Sequence, residues 1–229
     1  MRKGMFITGT GTDTGKTYIT ALLLKKLHEA GLHCAYFKAA MSGNARDSRG
    51  ELIPGDALHV RTVSGISQPL HEMCPYVYET AVSPHLAARL EGSPVDLEIV
   101  RKQYAELTAQ YEYILAEGSG GIVCPLRYDD KRIFLEDVIK TLDLPCVLVA
   151  DAGLGTINSV VLTAEYMRSH GISVKGIIFN HFHAGNVMEE DNKTMCEALT
   201  GIPVLACVSD GCTDIGLSAE AIASRCEQE

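Results

Sequence analysis

The chain sets only 20 Lys and Arg against 29 Asp and Glu, a net charge of −9. That shortage of positive charge argues against nucleic acid or an anionic membrane as a principal partner, because both demand a basic surface. No run of about 18 apolar residues occurs, so no transmembrane helix is expected. The first residues carry no long apolar core of a secretory signal, and a cytoplasmic location is the expectation. No C-x-x-C pair occurs among the 8 cysteines. Several sit inside apolar runs, as Cys146 and Cys207 do, and they read as reduced, buried thiols rather than disulfides or metal ligands. No Pro/Ser-rich linker divides the chain, so residues 1–229 are expected to form one domain. None of these absences excludes a nucleotide, since a few local cations and backbone N–H groups can hold a phosphate.

What is present is alternation. Short apolar runs at 4–9, 33–38, 111–118, 145–153, 174–180 and 202–208 read as strands. Helical patterns lie between them at 17–30, 56–63, 83–92, 95–111, 133–144, 157–171 and 187–201, with one more expected after Gly216. Ser83-Pro84 is a helix start signal, and Val95, Ile99, Val100 and Leu107 fall at helical spacing. Apolar strands separated by helices imply a doubly wound, mostly parallel α/β sheet flanked by helices, with binding at the carboxyl ends of the strands.

The stretch "MFITGTGTDTGKT" opens that pattern. A P-loop is G-x-x-x-x-G-K-[ST], and counting back from Gly15-Lys16-Thr17 the first glycine belongs at position 10. Thr10 stands there, between Gly9 and Gly11. The setting of strand, glycine-rich turn, Gly-Lys-Thr and helix nevertheless predicts a phosphate cradle of the P-loop NTPase type, one residue longer than usual. Helix N-terminal N–H groups and the helix dipole favour the anion. Lys16 would reach the β- and γ-phosphates, and the Thr17 hydroxyl would bind Mg²⁺.

Other chemistry gathers at the same edge if the sheet is parallel. Lys38 and Ser42-Gly43 follow the second strand, and Glu117-Gly118 the third. Asp151, Gly153 and Gly155 follow the fourth, and Asn180 the fifth. Glu117, at the end of a buried strand, is a candidate Mg²⁺ acid. Asp56 opens a helix and reads equally as an N-cap or as a second acid.

The segments "TGTGTDTGKT", "FKAAMSG", "GDALHV", "CPYVYETAVSPHLAARLEG", "LAEGSGG", "LGTINSVVLTAEYMRSHGISVKGIIFN" and "TGIPVL" occur in an order that resembles the dethiobiotin synthetase family of biotin biosynthesis. In that family the P-loop is long by one residue. The resemblance implies an ATP-dependent, Mg²⁺-requiring ligase, a homodimer with sites at its interface. Its substrates are 7,8-diaminononanoate and CO₂ or bicarbonate. One amine becomes a carbamate, ATP phosphorylates it, and the second amine closes a cyclic urea. Carried over by position, Lys16, Lys38 and Thr12 are the implied catalytic residues. Gly9, Thr12, Asp13, Thr14, Gly15, Lys16, Thr17, Glu117, Gly118 and Asn180 would bind nucleotide, Asn180 at the base. Thr17, Asp56 and Glu117 would bind the metal, and Lys38 and Ser42 the carbamate. Gly155, Thr156, Ile157 and Asn158 would receive the substrate carboxylate from a neighbouring subunit.

The sequence departs from that family at three places. Ala39 follows Lys38 where proline is usual. Asp13 stands where the P-loop often carries glutamate. Ala206 and Ser209 alter the segment flanking the base, which predicts a weaker preference for ATP. Two rivals share the fold. A dimerising ATPase switch would carry a signature lysine at the position of Gly11, and an amidating synthetase would need far more chain after Asn180.

Overall fold

The protein is described by a computed structural model covering residues 3–227. Strand β1 (Lys3–Gly9) runs into the glycine-rich loop and helix α1 (Lys16–Glu29). Next come β2 (Cys34–Lys38), β3 (Ala40–Met41), α2 (Gly55–Ser64), α3 (Leu70–Met73) and β4 (Tyr76–Val77). Helices α4 (Pro84–Leu90) and α5 (Leu97–Thr108) lead to β5 (Tyr113–Glu117), β6 (Pro125–Tyr128), β7 (Arg132–Phe134) and α6 (Leu135–Leu142). The second half alternates β8 (Cys146–Asp151), α7 (Thr156–Ser169), β9 (Val174–Asn180), α8 (Val187–Thr200), β10 (Val204–Cys207) and α9 (Ala219–Cys226).

Six strands form one parallel sheet in the order β10-β9-β8-β1-β5-β2. β1 lies inside it, between β5 and β8, so the loop leaving β1 opens where the connections diverge to either side, the usual place for a ligand in an open α/β sheet. Alternation of side chains feeds two faces. Met5 and Ile7 pack with the leucines of α1 and with α2 and α9, whereas Phe6 joins Phe37, Ala116 and the apolar sides of α5 and α6. Further along, Leu148, Ala150, Ile177 and Phe179 pack beneath α7 and α8. Burial on both faces explains why these strands read as continuous apolar runs.

The structure refines several expectations. Residues 133–134 do not begin a helix. They belong to β7, which pairs antiparallel with β6 in a small hairpin, and α6 starts only at Leu135, with Asp137 accepting a hydrogen bond from Phe134 N. Val95 is buried ahead of α5, and Ile99 faces outward, 52% exposed, leaving Val100, Tyr104 and Leu107 as that helix's core face. The pairing of β3 with β4 and the single turn α3 are too short to show as periodicity. Among the described residues no helix is long and apolar enough to cross a membrane.

Candidate active site

The loop after β1 wraps over its own helix start. Gly15 has φ of 85°, and a Cβ there would lie 2.0 Å from Asn180 Nδ2. Only glycine supplies both the left-handed backbone and the space, and with it the Asn180 amide donates to Thr14 O at 3.3 Å. The "GSGG" segment lies against the same loop: a Cβ on Gly121 would meet Gly11 Cα at 3.4 Å. Lys16 is buried and arches back to donate to Gly11 O at 2.7 Å. Burial, reinforced by the positive charge of Lys38, lowers its pKa to about 8.

Lys38 and Glu117 are register partners at the ends of β2 and β5. The Lys38 ammonium donates to Glu117 Oε1 at 2.7 Å and to Asp56 Oδ2 at 2.6 Å. Glu117 Oε1 also accepts from Thr17 Oγ1 at 2.7 Å, and its Oε2 accepts from the Tyr36 hydroxyl at 2.9 Å. One ammonium therefore joins both acids, and one acid joins the P-loop threonine. Burial opposes the charge on Lys38, but Glu117 and Asp56 outweigh it and hold its pKa above the ordinary lysine value. Asp56 is held below the usual carboxylate range because Lys38 outweighs its own burial. It is not an N-cap: α2 begins at Gly55, and Asp56 sits inside the first turn with its carboxylate on Lys38.

These groups border a cavity of about 910 Å³. Of the residues expected from sequence, Thr12, Asp13, Gly15, Lys16, Thr17, Lys38, Ser42, Asp56 and Glu117 line it. Ser42 spends its hydroxyl hydrogen on Val82 O at 2.6 Å. Gly9, Thr14, Gly118 and Asn180 do not line it, although Gly9 packs against Thr14 and Lys16 and Asn180 donates to Thr14 O. Gly155, Thr156, Ile157 and Asn158 stand apart, at the start of α7, where Gly155 and Asn158 are exposed and Thr156 is buried, next to Leu154, which is 92% exposed.

Sequence reasoning passed over Tyr36, His59, Ser119, Cys124 and the hydroxyl of Tyr18, which reaches Cys212 O. Strand alternation carried a signal for Tyr36, which shares a face with Lys38 two residues on. Cys124 is a free thiol on the cavity wall whose pKa burial raises to about 11, which disfavours the thiolate.

The donor set suits magnesium. It offers one hydroxyl and two carboxylates, all hard oxygens, and magnesium keeps waters and takes substrate phosphates for the rest of its shell. Among the described residues no cluster of three or more His, Cys, Asp or Glu could hold a metal unaided.

A family model described as an AAA domain matches residues 3–211. The ATP-dependent dethiobiotin synthetase BioD of Brachyspira hyodysenteriae is 46% identical over 212 residues, covering 92% of this chain and 94% of that protein. That of Clostridium novyi is 46% identical over 209 residues, covering 91% and 87%. The chain belongs to the ATP-dependent dethiobiotin synthetase family. Membership makes it a ligase that forms C–N bonds, with an ATP-binding P-loop. Solved structures similar to this dethiobiotin synthetase family member include the MinC:MinD cell division complex of Aquifex aeolicus, with a TM-score of 0.58 at 13% identity over 98% of this chain and 94% of that one. A ParA family ATPase from Chlorobium tepidum gives 0.56 at 13% identity over 98% and 92%. At such identities the likeness is one of fold alone, a P-loop sheet flanked by helices.

Proposed function

We propose that the chain closes the cyclic urea of dethiobiotin from 7,8-diaminononanoate, CO₂ and ATP. One amine of the substrate adds to CO₂, forming a carbamate with loss of a proton. A carbamate oxygen then attacks the γ-phosphorus and ADP leaves. The second amine attacks the carbonyl carbon of the mixed anhydride, and phosphate leaves as the ring closes. Positioning and charge neutralisation dominate such phosphoryl transfer. The observation that carries the reading is the convergence on one cavity of Lys16, Thr17, Lys38, Asp56 and Glu117.

In this reading Lys16 and the N–H groups at the start of α1 hold the phosphates, with Thr12 and Asp13 at the exposed rim. Thr17, Asp56 and Glu117 hold magnesium, which when bound neutralises phosphate charge. Lys38 faces the carbamate as a compact point charge, with Ser42 at the same wall. Asn180 meets the base. Gly155 to Asn158 complete the site of a second copy of the chain by taking the substrate carboxylate at the N-terminus of α7, where the helix dipole favours an anion. The exposure of Leu154, Gly155 and Asn158 supports a homodimer.

The test is incubation with 7,8-diaminononanoate, bicarbonate, Mg²⁺ and ATP, followed by mass analysis. Cyclic urea with stoichiometric ADP is expected. ATP hydrolysis without any urea would sink the reading.

A further inference from the structure

Between the strand that carries Lys38 and the helix that carries Asp56, the chain makes an excursion over residues 45–53. Its arms meet where Ile53 N donates to Ala45 O at 2.9 Å, and its tip is exposed. A surface loop of this kind does not by itself fix where the next helix begins. Ala57 and Val60 are buried and seat the body of α2, but Gly55, at its start, is exposed. Pro54, at the N-cap, makes no side-chain cap for the N–H groups that a helix start leaves unpaired.

Asn44, 11 residues upstream, supplies that cap: its Oδ1 accepts from Gly55 N at 2.9 Å. Its Nδ2 donates to Met41 O at 3.1 Å and to Tyr78 O at 2.8 Å. Turned over, the amide would set its oxygen against two carbonyls and its nitrogen against an N–H, so only one orientation satisfies the partners. The side chain is 6% exposed. Met41 lies on the cavity wall in the same run as Lys38, and Gly55 immediately precedes Asp56. One buried amide therefore ties the chain that follows Lys38 to the helical turn that presents Asp56, whose Oδ2 lies 2.6 Å from the Lys38 ammonium.

We infer that Asn44 is a positioning residue: by capping α2 from across the loop it holds Asp56 against the cavity and so sets how tightly the site takes magnesium. The inference rests on the reading of Asp56 as a metal group. It also accounts for the use of Asp56, which is released from capping its own helix because another side chain does that work.

The experiment titrates Mg²⁺ by calorimetry into the ADP-bound protein, and follows amide hydrogen exchange of residues 55–58 with neither metal nor nucleotide present. The variants are Asn44→Ala, Asp56→Asn, the two combined, Gly55→Pro and Gly55→Ala. Asn44→Ala should raise the Kd for Mg²⁺ about fivefold, the scale of one lost helix cap, and should speed exchange at residues 55–58. Asp56→Asn should raise the Kd at least as much, and adding Asn44→Ala to it should raise it no further, since the two act through one group. Proline is favourable at the first helical position but has no N–H to give Asn44, so Gly55→Pro should match Asn44→Ala and reports even where that variant folds poorly. Gly55→Ala keeps the N–H, and its Cβ would meet Asn44 Oδ1 at an ordinary 3.7 Å, so it should bind as the parent does. Parent-like Mg²⁺ affinity in both Asn44→Ala and Gly55→Pro overturns the inference. So does a double variant in which the two losses multiply, because Asn44 would then act on the site by some route other than Asp56. An unchanged affinity in Asp56→Asn instead sinks the metal reading on which the inference stands.

Discussion

Glu117 and Asp151 occupy equivalent places and lead different lives. Each ends a parallel strand that pairs with β1, one on either side of the phosphate loop. The Glu117 side chain has no exposure and takes hydrogen bonds from Lys38, Thr17 and Tyr36. The Asp151 side chain is 53% exposed and accepts from His181 and from Gly153 N. Both strands deliver a carboxylate to the ligand edge. What each carboxylate can do is decided by its neighbours: a buried ammonium and two hydroxyls beside one, solvent and an imidazole beside the other. Partial burial works against the charge of Asp151, yet His181 and the Gly153 N–H hold its carboxyl below the ordinary range.

The comparison breaks most visibly on substitution. Glu117→Ala should lower cyclic urea formation by at least about a hundredfold, the scale for a group that organises transition-state charge. It should also cost about 3 kcal/mol in urea unfolding, the lower end for breaking a buried ion pair, because Asp56 still faces Lys38. A variant as stable and as active as the parent would show that the buried network is idle.

Lys38→Ala tests the same network from the cation's side. Turnover to the urea should fall about a hundredfold, while nucleotide affinity measured by calorimetry stays within about a few-fold, since a uniform binding contact is not what Lys38 supplies. Lys38→Arg should rescue poorly, because a planar fork does not replace a point charge. Normal ring closure in Lys38→Ala would remove it from the site.

Protonation sharpens the picture further. The Lys16 pKa is lowered to about 8, so its ammonium is present below that value and lost as pH rises through it. The profile of kcat/KM for ATP should therefore show an alkaline limb with its midpoint near 8, whereas an ordinary lysine would hold its charge to about 10.4. A flat profile well past that midpoint would mean the phosphate cation is not Lys16.

The smallest effect belongs to the exposed acid. Asp151→Ala should change stability by no more than about 1 kcal/mol, as for other surface pairs. A loss as large as that of Glu117→Ala would erase the distinction between the two strand ends.

Much of this was legible in the sequence because it is local. Gly15-Lys16-Thr17 announces the phosphate loop, and apolar runs ending in Lys38, Glu117, Asp151 and Asn180 fix what reaches the edge. The network itself was not legible. Lys38 is 18 residues from Asp56 and 79 from Glu117, so no spacing rule links them before the strands are paired. Asp56 shows the same limit, since an acid at a helix start serves as a cap or a partner depending on a lysine from another strand. The β6–β7 hairpin hid in "PLRYDDKRIF" because strands this short carry no period and the helix that follows borrows their apolar residues.

One consequence of the Lys38 bridge concerns how the molecule comes into being. A cavity floor with two acids and no cation would resist burial, and the chain would have to wait for a metal before it could close, as small zinc domains do. Here the polypeptide carries its own counter-ion, covalently tethered and always present at the moment of folding. The sheet edge can therefore assemble with one of its two negative charges already neutralised. On the proposed reading, that assembly is owed to the chain alone, ahead of the magnesium that Thr17, Asp56 and Glu117 would hold.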